Sequence, residues 1–151
     1  RARACHPDAP GGDTARFSAL NAAQALLSDP AARLRLLAGD IAVPAMPPDA
    51  EFGFRVGAAL READAAIAKL AAGNALQRAL LASETAAARK VLGEFKREWD
   101  LRFAQAGEKL RALDAAWPQV EPEQLASLGA EFRYLQRWHA QILERELALS
   151  V

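Results

Sequence analysis

Thiol chemistry is almost missing from this chain: among 151 residues there is one cysteine, Cys5. A lone thiol closes no internal disulfide framework and builds no cysteine-rich zinc site, so the fold must rest on packing. Cys5 itself reads as a small apolar residue of a reducing compartment, which makes a cytoplasmic setting the expectation. Long hydrophobic runs are missing too. None approaches the roughly 20 apolar residues that span a bilayer, and no signal-peptide core opens the sequence as given. Neither sign of charge is in excess, since 19 Lys and Arg face 19 Asp and Glu. That balance removes the electrostatic case for nucleic acid or an anionic membrane as a partner. Residues that favour strands are scarce as well, with one Tyr and few Val or Ile. Ala, Leu and the long charged side chains dominate instead, and they predict helices throughout.

Proline and glycine punctuate those helices. Pro7, Pro10 and Gly11-Gly12 make residues 6–12 a loop, after which Asp13 or Thr14 caps a helix with Phe17, Leu20 and Leu27 at helical spacing. Ser28-Asp29-Pro30 ends it and starts the next, with Asp29 as cap and Pro30 at the first helical position. Gly39 suits a left-handed terminator. Pro44, Pro47 and Pro48 then mark residues 40–48 as a stiff linker. Asp49 caps a long helix whose apolar stripe is Phe52, Val56, Leu60, Ala63, Ile67 and Leu70, ended by Gly73-Asn74. A second stripe, from Ala88 and Leu92 through Phe95, Trp99 and Phe103 to Leu113, lies in a pattern over 75–117, with Ser83-Glu84 as a candidate break. Trp117-Pro118 closes that pattern. The last helix opens at Pro122-Glu123 and carries Leu125, Leu128, Phe132, Leu135, Ile142 and Leu149 inward. Three long amphipathic helices can bury their stripes only against each other, so a three-helix bundle follows over 49–151.

The chemistry-bearing residues cluster at the start. Arg1-Ala2-Arg3-Ala4-Cys5 reads as the basic end of a helix already under way, so the natural N-terminus, with any targeting segment, is expected to lie upstream. It runs into His6-Pro7-Asp8. Downstream come Phe17, Asn21, Ala22, Ala23, Leu26-Leu27-Ser28-Asp29-Pro30 and Arg33. The tripeptide alone is a weak signal, and by itself describes no more than a helix end followed by a proline turn. In this order, the set resembles a J domain. The proline linker leading directly to a helical domain is similar to the HscB-type J-domain co-chaperones, and Phe132-Arg133-Tyr134-Leu135 is similar to a stretch of their last helix.

The resemblance implies an all-α fold: a partial J domain over 1–39 (the end of helix II, the His-Pro-Asp loop and helix III), then the linker and the bundle. It implies a co-chaperone that stimulates ATP hydrolysis by a DnaK/HscA-type chaperone and delivers an IscU-type iron–sulfur scaffold protein to it. Arg1, Arg3, His6, Pro7 and Asp8 would meet the chaperone. Arg55, Ala59, Glu62 and Ala66, on a flank of the first bundle helix left free by burial of its apolar stripe, would meet the scaffold together with Tyr134 of the last helix, as one shallow surface where those two helices lie side by side. The family's acidic run departs here, because several expected Glu positions are Ala. The other reading is a helical protein-interaction module whose J-like segment has lost or changed its chaperone role.

The remaining candidates read plainly. Trp99 and Trp117 are core, and His139 is a core or boundary histidine. Glu94, Glu98 and Asp100 beside Lys96 and Arg97 make a solvated face. Cys5 and His6 are adjacent and lack further ligands, so no metal site is expected. No nucleophile–base pair, phosphate loop or paired acids appear, so the chain reads as no enzyme and as needing no cofactor.

Overall fold

The computed structural model of the chain describes residues 13–39, 41 and 49–150, and all regular structure among them is α-helical. The helices are α1 (Thr14–Ser28), α2 (Pro30–Ala38), α3 (Ala50–Ala72), α4 (Ala75–Leu80), α5 (Ala82–Ala116) and α6 (Pro122–Ala148). Of the segment read as a linker, 40–48, only Ile41 lies among the described residues.

Three aspartates start three helices. Asp13 accepts a hydrogen bond from the Arg16 N–H at 3.1 Å, Asp29 from Ala31 at 3.0 Å and Asp49 from Phe52 at 2.9 Å. Each satisfies a backbone donor that the helix cannot, a contribution of about 1 kcal/mol. Pro30 and Pro122 each open a helix, where a missing N–H costs nothing. At the other ends the glycines depart from expectation. Gly39 has φ +68°, open only to glycine without strain, but its ψ of −141° sends the chain out extended rather than left-handed. Gly73 ends α3 in ordinary extended backbone, with φ −82° and ψ 145°. Asn74 then starts a new helix through reciprocal bonds with Gln77, at 2.8 and 3.0 Å.

The pattern read over 75–117 is therefore two helices, and the break falls at Leu81, ahead of Ser83-Glu84. Leu81 sits at φ −82° and ψ −4°, which tilts α4 away from α5. Its carbonyl accepts both the Thr85 N–H and the Thr85 hydroxyl at 2.9 Å, so the corner keeps its hydrogen bonds. α5 ends at Trp117-Pro118 as the proline dictates.

Side-chain partners fix how the long helices lie. Arg55 pairs with Glu98 and Lys69 with Glu84, so α5 runs antiparallel to α3. The Trp99 indole N–H donates to the Leu135 carbonyl at 2.7 Å, and Phe103 packs edge-on against Phe132, so α5 is antiparallel to α6 as well. Gly53 lies beside Trp138 and Asp64 pairs with Arg145, which makes α3 and α6 parallel. Phe52, Val56, Leu92, Phe132 and Ile142 are the largest fully buried side chains between them.

A further layer was not visible in the stripes. α2 packs across the N-terminal half of α6, burying Ala31, Leu34 and Ala38 against Ala126, Gly129 and Ala130. The approach is close: a Cβ on Gly129 would stand 3.2 Å from Leu34 Cβ, so only glycine lets the helices seat without a shift. Gln136 Nε2 donates to Asp29 Oδ1 at 2.8 Å and ties the α1–α2 corner to α6. α2 thus shares its core with the bundle. α1 contributes no buried residue.

Candidate partner-binding surface

The residues expected to meet a chaperone, Arg1, Arg3, His6, Pro7 and Asp8, lie outside the described residues. The helix that follows them is described. α1 carries Asn21, Ala22 and Ala23 on exposed positions, with Leu20, Leu26 and Leu27 also open to solvent.

The scaffold-facing set is rearranged by the fold. Arg55, Ala59, Glu62 and Ala66 step by four, three and four, so they do share one flank of α3. That flank faces α5. The Arg55–Glu98 and Lys69–Glu84 pairs bracket it, and between them Ala59 (7% exposed) and Ala66 (3% exposed) are buried in the core. The expectation that these two alanines stay free is overturned, because α5 covers them and their small side chains let it come close. Arg55 and Glu62 remain exposed. Tyr134 is half-buried with its ring 5.8 Å from that of Trp138, and Trp138 in turn packs edge-on to Phe52. Trp138 also rests on Gly53, where a Cβ would come within 2.6 Å of its ring. Gly53 lies roughly 200° around α3 from Arg55. Tyr134 therefore belongs to the α6 flank and Arg55 and Glu62 to the α5 flank, so the five residues do not make one surface.

What α3 does present is its outward face. Phe54, Ala58, Arg61 and Ala65 follow the helical step on the side away from the core, with Glu62 beside them. Phe54 is 75% exposed. Its signal was in the sequence, since a phenylalanine two residues from Phe52 on one helix cannot share the same inward face.

Charge fixes the start of this helix. Arg102 pairs with both Asp49 and Glu98, the latter at 2.8 Å, and Glu98 also receives Arg55 at 2.8 and 3.3 Å. The Arg102 guanidinium lies 4.2 Å from the Phe52 ring centroid, and that of Arg55 lies 5.4 Å from Phe95. Glu98 is thus half-buried and partnered across the α3–α5 seam, not part of a solvated face with Lys96 and Arg97. Asp49 is held below the ordinary carboxylate range chiefly by the Phe52 N–H, against desolvation, with help from Arg102 and Arg55. For Glu98 desolvation is the largest single influence and pushes upward, but hydrogen bonds and charge from Arg102 and Arg55 together outweigh it, and its pKa falls.

These shifts set an acid limit. Both folded pKa values lie below their unfolded ones, so the stabilisation is complete above about pH 4–4.5 and drains away as pH falls through the folded values. The melting temperature is expected to stay level from pH 7 to about 5 and to drop below about pH 4. Glu98→Gln should lower it at pH 7 and flatten the acid limb, as circular dichroism melts across pH would register. A parallel fall of both proteins would place the acid-sensitive groups elsewhere.

Two other residues find their places. His139 stacks on Trp99 with ring centroids 3.9 Å apart and planes at 9°, a boundary histidine as read. Trp117, read as core, is 54% exposed, because it is the residue where α5 stops and the chain turns at Pro118. Among the described residues, no helix is long and apolar enough to cross a membrane.

No family model, curated protein or solved structure matches the chain.

Proposed function

We propose that this chain is a J-domain co-chaperone of the HscB type, which stimulates ATP hydrolysis by a DnaK/HscA-type chaperone and hands it an IscU-type scaffold protein. One observation carries the reading: the ordered series from Arg1 and Arg3 through His6-Pro7-Asp8 to Phe17, Asn21, Leu26-Leu27-Ser28-Asp29-Pro30 and Arg33. The helices α1 and α2, joined at Asp29-Pro30, are compatible with it. So are the open leucines of α1, since J-domain helix III carries apolar positions for the helices that precede the loop. The direct test is single-turnover ATPase of the chaperone with and without the full-length protein. Stimulation that vanishes with His6 altered supports the reading, and no stimulation by the unaltered protein removes it.

The second reading is a helical interaction module whose J-like segment no longer serves a chaperone. Burial of Ala59 and Ala66 favours it, because it removes part of the surface that the HscB resemblance assigns to the scaffold.

Under the first reading, docking of the scaffold falls to the outward face of α3, with Phe54 as anchor and Glu62 and Arg61 on its rim. Truncating a central aromatic anchor costs about 1–3 kcal/mol of binding. Phe54→Ala should therefore weaken binding of an IscU-type scaffold by that amount in a calorimetric titration, with little change in melting temperature. Tyr134→Ala should lower the melting temperature more, because its ring rests on Trp138. Loss of affinity in Tyr134→Ala alone would move the docking site to the α6 flank.

A further inference from the structure

The two ends of the bundle are finished differently. At one end α2 covers α6 beside the C-terminal part of α5. At the other, where α3 and α6 finish and α5 begins, a cleft of about 470 Å³ stays open between the three helices and α4. Its apolar floor is Ile67 and Leu70, both half-buried, with the Thr85 side chain turned to the Leu81 carbonyl. The cleft exists because the side chains that would fill it are small: Ala71, Ala82, Ala86 and Ala148 line it. Two guanidinium groups stand at its edge, Arg78 and Arg89, and no carboxylate lines it. Arg78 uses its Nε–H on the Leu70 and Gly73 carbonyls, at 3.1 and 3.0 Å, which leaves its terminal nitrogens available. Among the described residues, no carboxylate pairs with Arg89 or Arg78.

An apolar recess lined by two cations and by no anion to neutralise them is complementary to a molecule with a tail and a negative head. A protein helix, about 10–12 Å across, is too wide for a gap left by missing side chains. A single extended hydrocarbon chain is not. We propose that this cleft is a binding site for a single-chain carboxylate amphiphile, its tail laid on Ile67 and Leu70 and its carboxylate held by Arg89 and Arg78. The site lies at the far end of the bundle from α2 and is independent of the chaperone reading.

The probe is dodecanoate, kept below micelle formation, titrated into the full chain by calorimetry. One saturable site is expected, and dodecyltrimethylammonium, with the same tail and the opposite charge, should bind at least about tenfold more weakly, the discrimination a charge-assisted hydrogen bond supplies. Ala86→Phe should abolish binding by filling the recess, and Arg89→Ala should weaken it by about tenfold with the fold intact by circular dichroism. Arg89→Ala decides alone if Ala86→Phe does not fold. Unsaturable uptake, equal binding of the cationic amphiphile, or binding that ignores a folded variant would overturn the assignment.

Discussion

Under the J-domain proposal, His6→Gln is expected to return chaperone ATP hydrolysis to its unstimulated rate while the protein keeps its helicity and melting temperature. The substitution separates a recognition role for His6 from a merely structural one. As a helix-terminal group, His6 would contribute only a dipole interaction of roughly 0.3–1 kcal/mol, and glutamine would change stability by no more than that. As part of the proposed recognition loop, the imidazole would be one of three groups whose placement the partner reads: Pro7 would restrict the backbone, and Asp8 would offer a carboxylate to a partner arginine. Losing one group from a small pre-organised contact removes the stabilisation of the hydrolysis-competent arrangement, and each 1.36 kcal/mol lost there is about tenfold in rate. Single-turnover hydrolysis at saturating co-chaperone is the measurement. Full stimulation by a folded His6→Gln protein would end the J-domain proposal and leave the interaction-module reading.

Phe52→Ala should be the most damaging single truncation in the bundle, at about 3–5 kcal/mol. The ring is fully buried and touches all three long helices. It meets Phe95 on α5 at 6.0 Å and Trp138 on α6 at 5.2 Å, and Arg102 lies across its face. Trp138 has little room to collapse into the space, since its indole already rests against α3 at Gly53. The cavity should stay open. A fold with an ordinary margin of about 5–15 kcal/mol would lose a third or more of it, and the melting temperature should fall by roughly 10–15 °C. Phe52→Leu, which keeps most of the volume, should cost much less. Equal losses from the two substitutions would show that the aromatic stacking, not the filled volume, is what matters at this position.

Much of the local structure was legible because its causes are local. Asp13, Asp29 and Asp49 cap helices with their own side chains a few residues away, and Pro118 stops α5 through its own ring. The inner face of α6 was readable for a related reason: Leu125, Leu128, Phe132, Leu135, Ile142 and Leu149 are large, and their spacing leaves one way to turn them. The corner falls at Leu81, two residues ahead of Ser83, and is hidden in the sequence because nothing in the chemistry of Leu81 marks it, whereas a serine followed by a glutamate looks like a cap. The Asn74–Gln77 capping pair is hidden in the sequence because Gly73-Asn74 carries the signature of a helix end.

The candidate docking surface was less legible. Sequence alone determined that the chain is helical, where most helices begin and end, and which large side chains turn inward. Tertiary structure decided which neighbour occupies each flank of α3. A helical period places residues at angles around an axis, but it is silent on what lies at each angle. Alanine is the weak point, since its small apolar area is equally consistent with a core seam and a solvated side. Ala59 and Ala66 became core because α5 lies over them, Glu98 became a structural partner because α3 brings Arg55 to it, and α2 became part of the core because Gly129 lets it approach. Each of these depends on two segments meeting that are far apart in the chain, and no spacing within either segment contains that information.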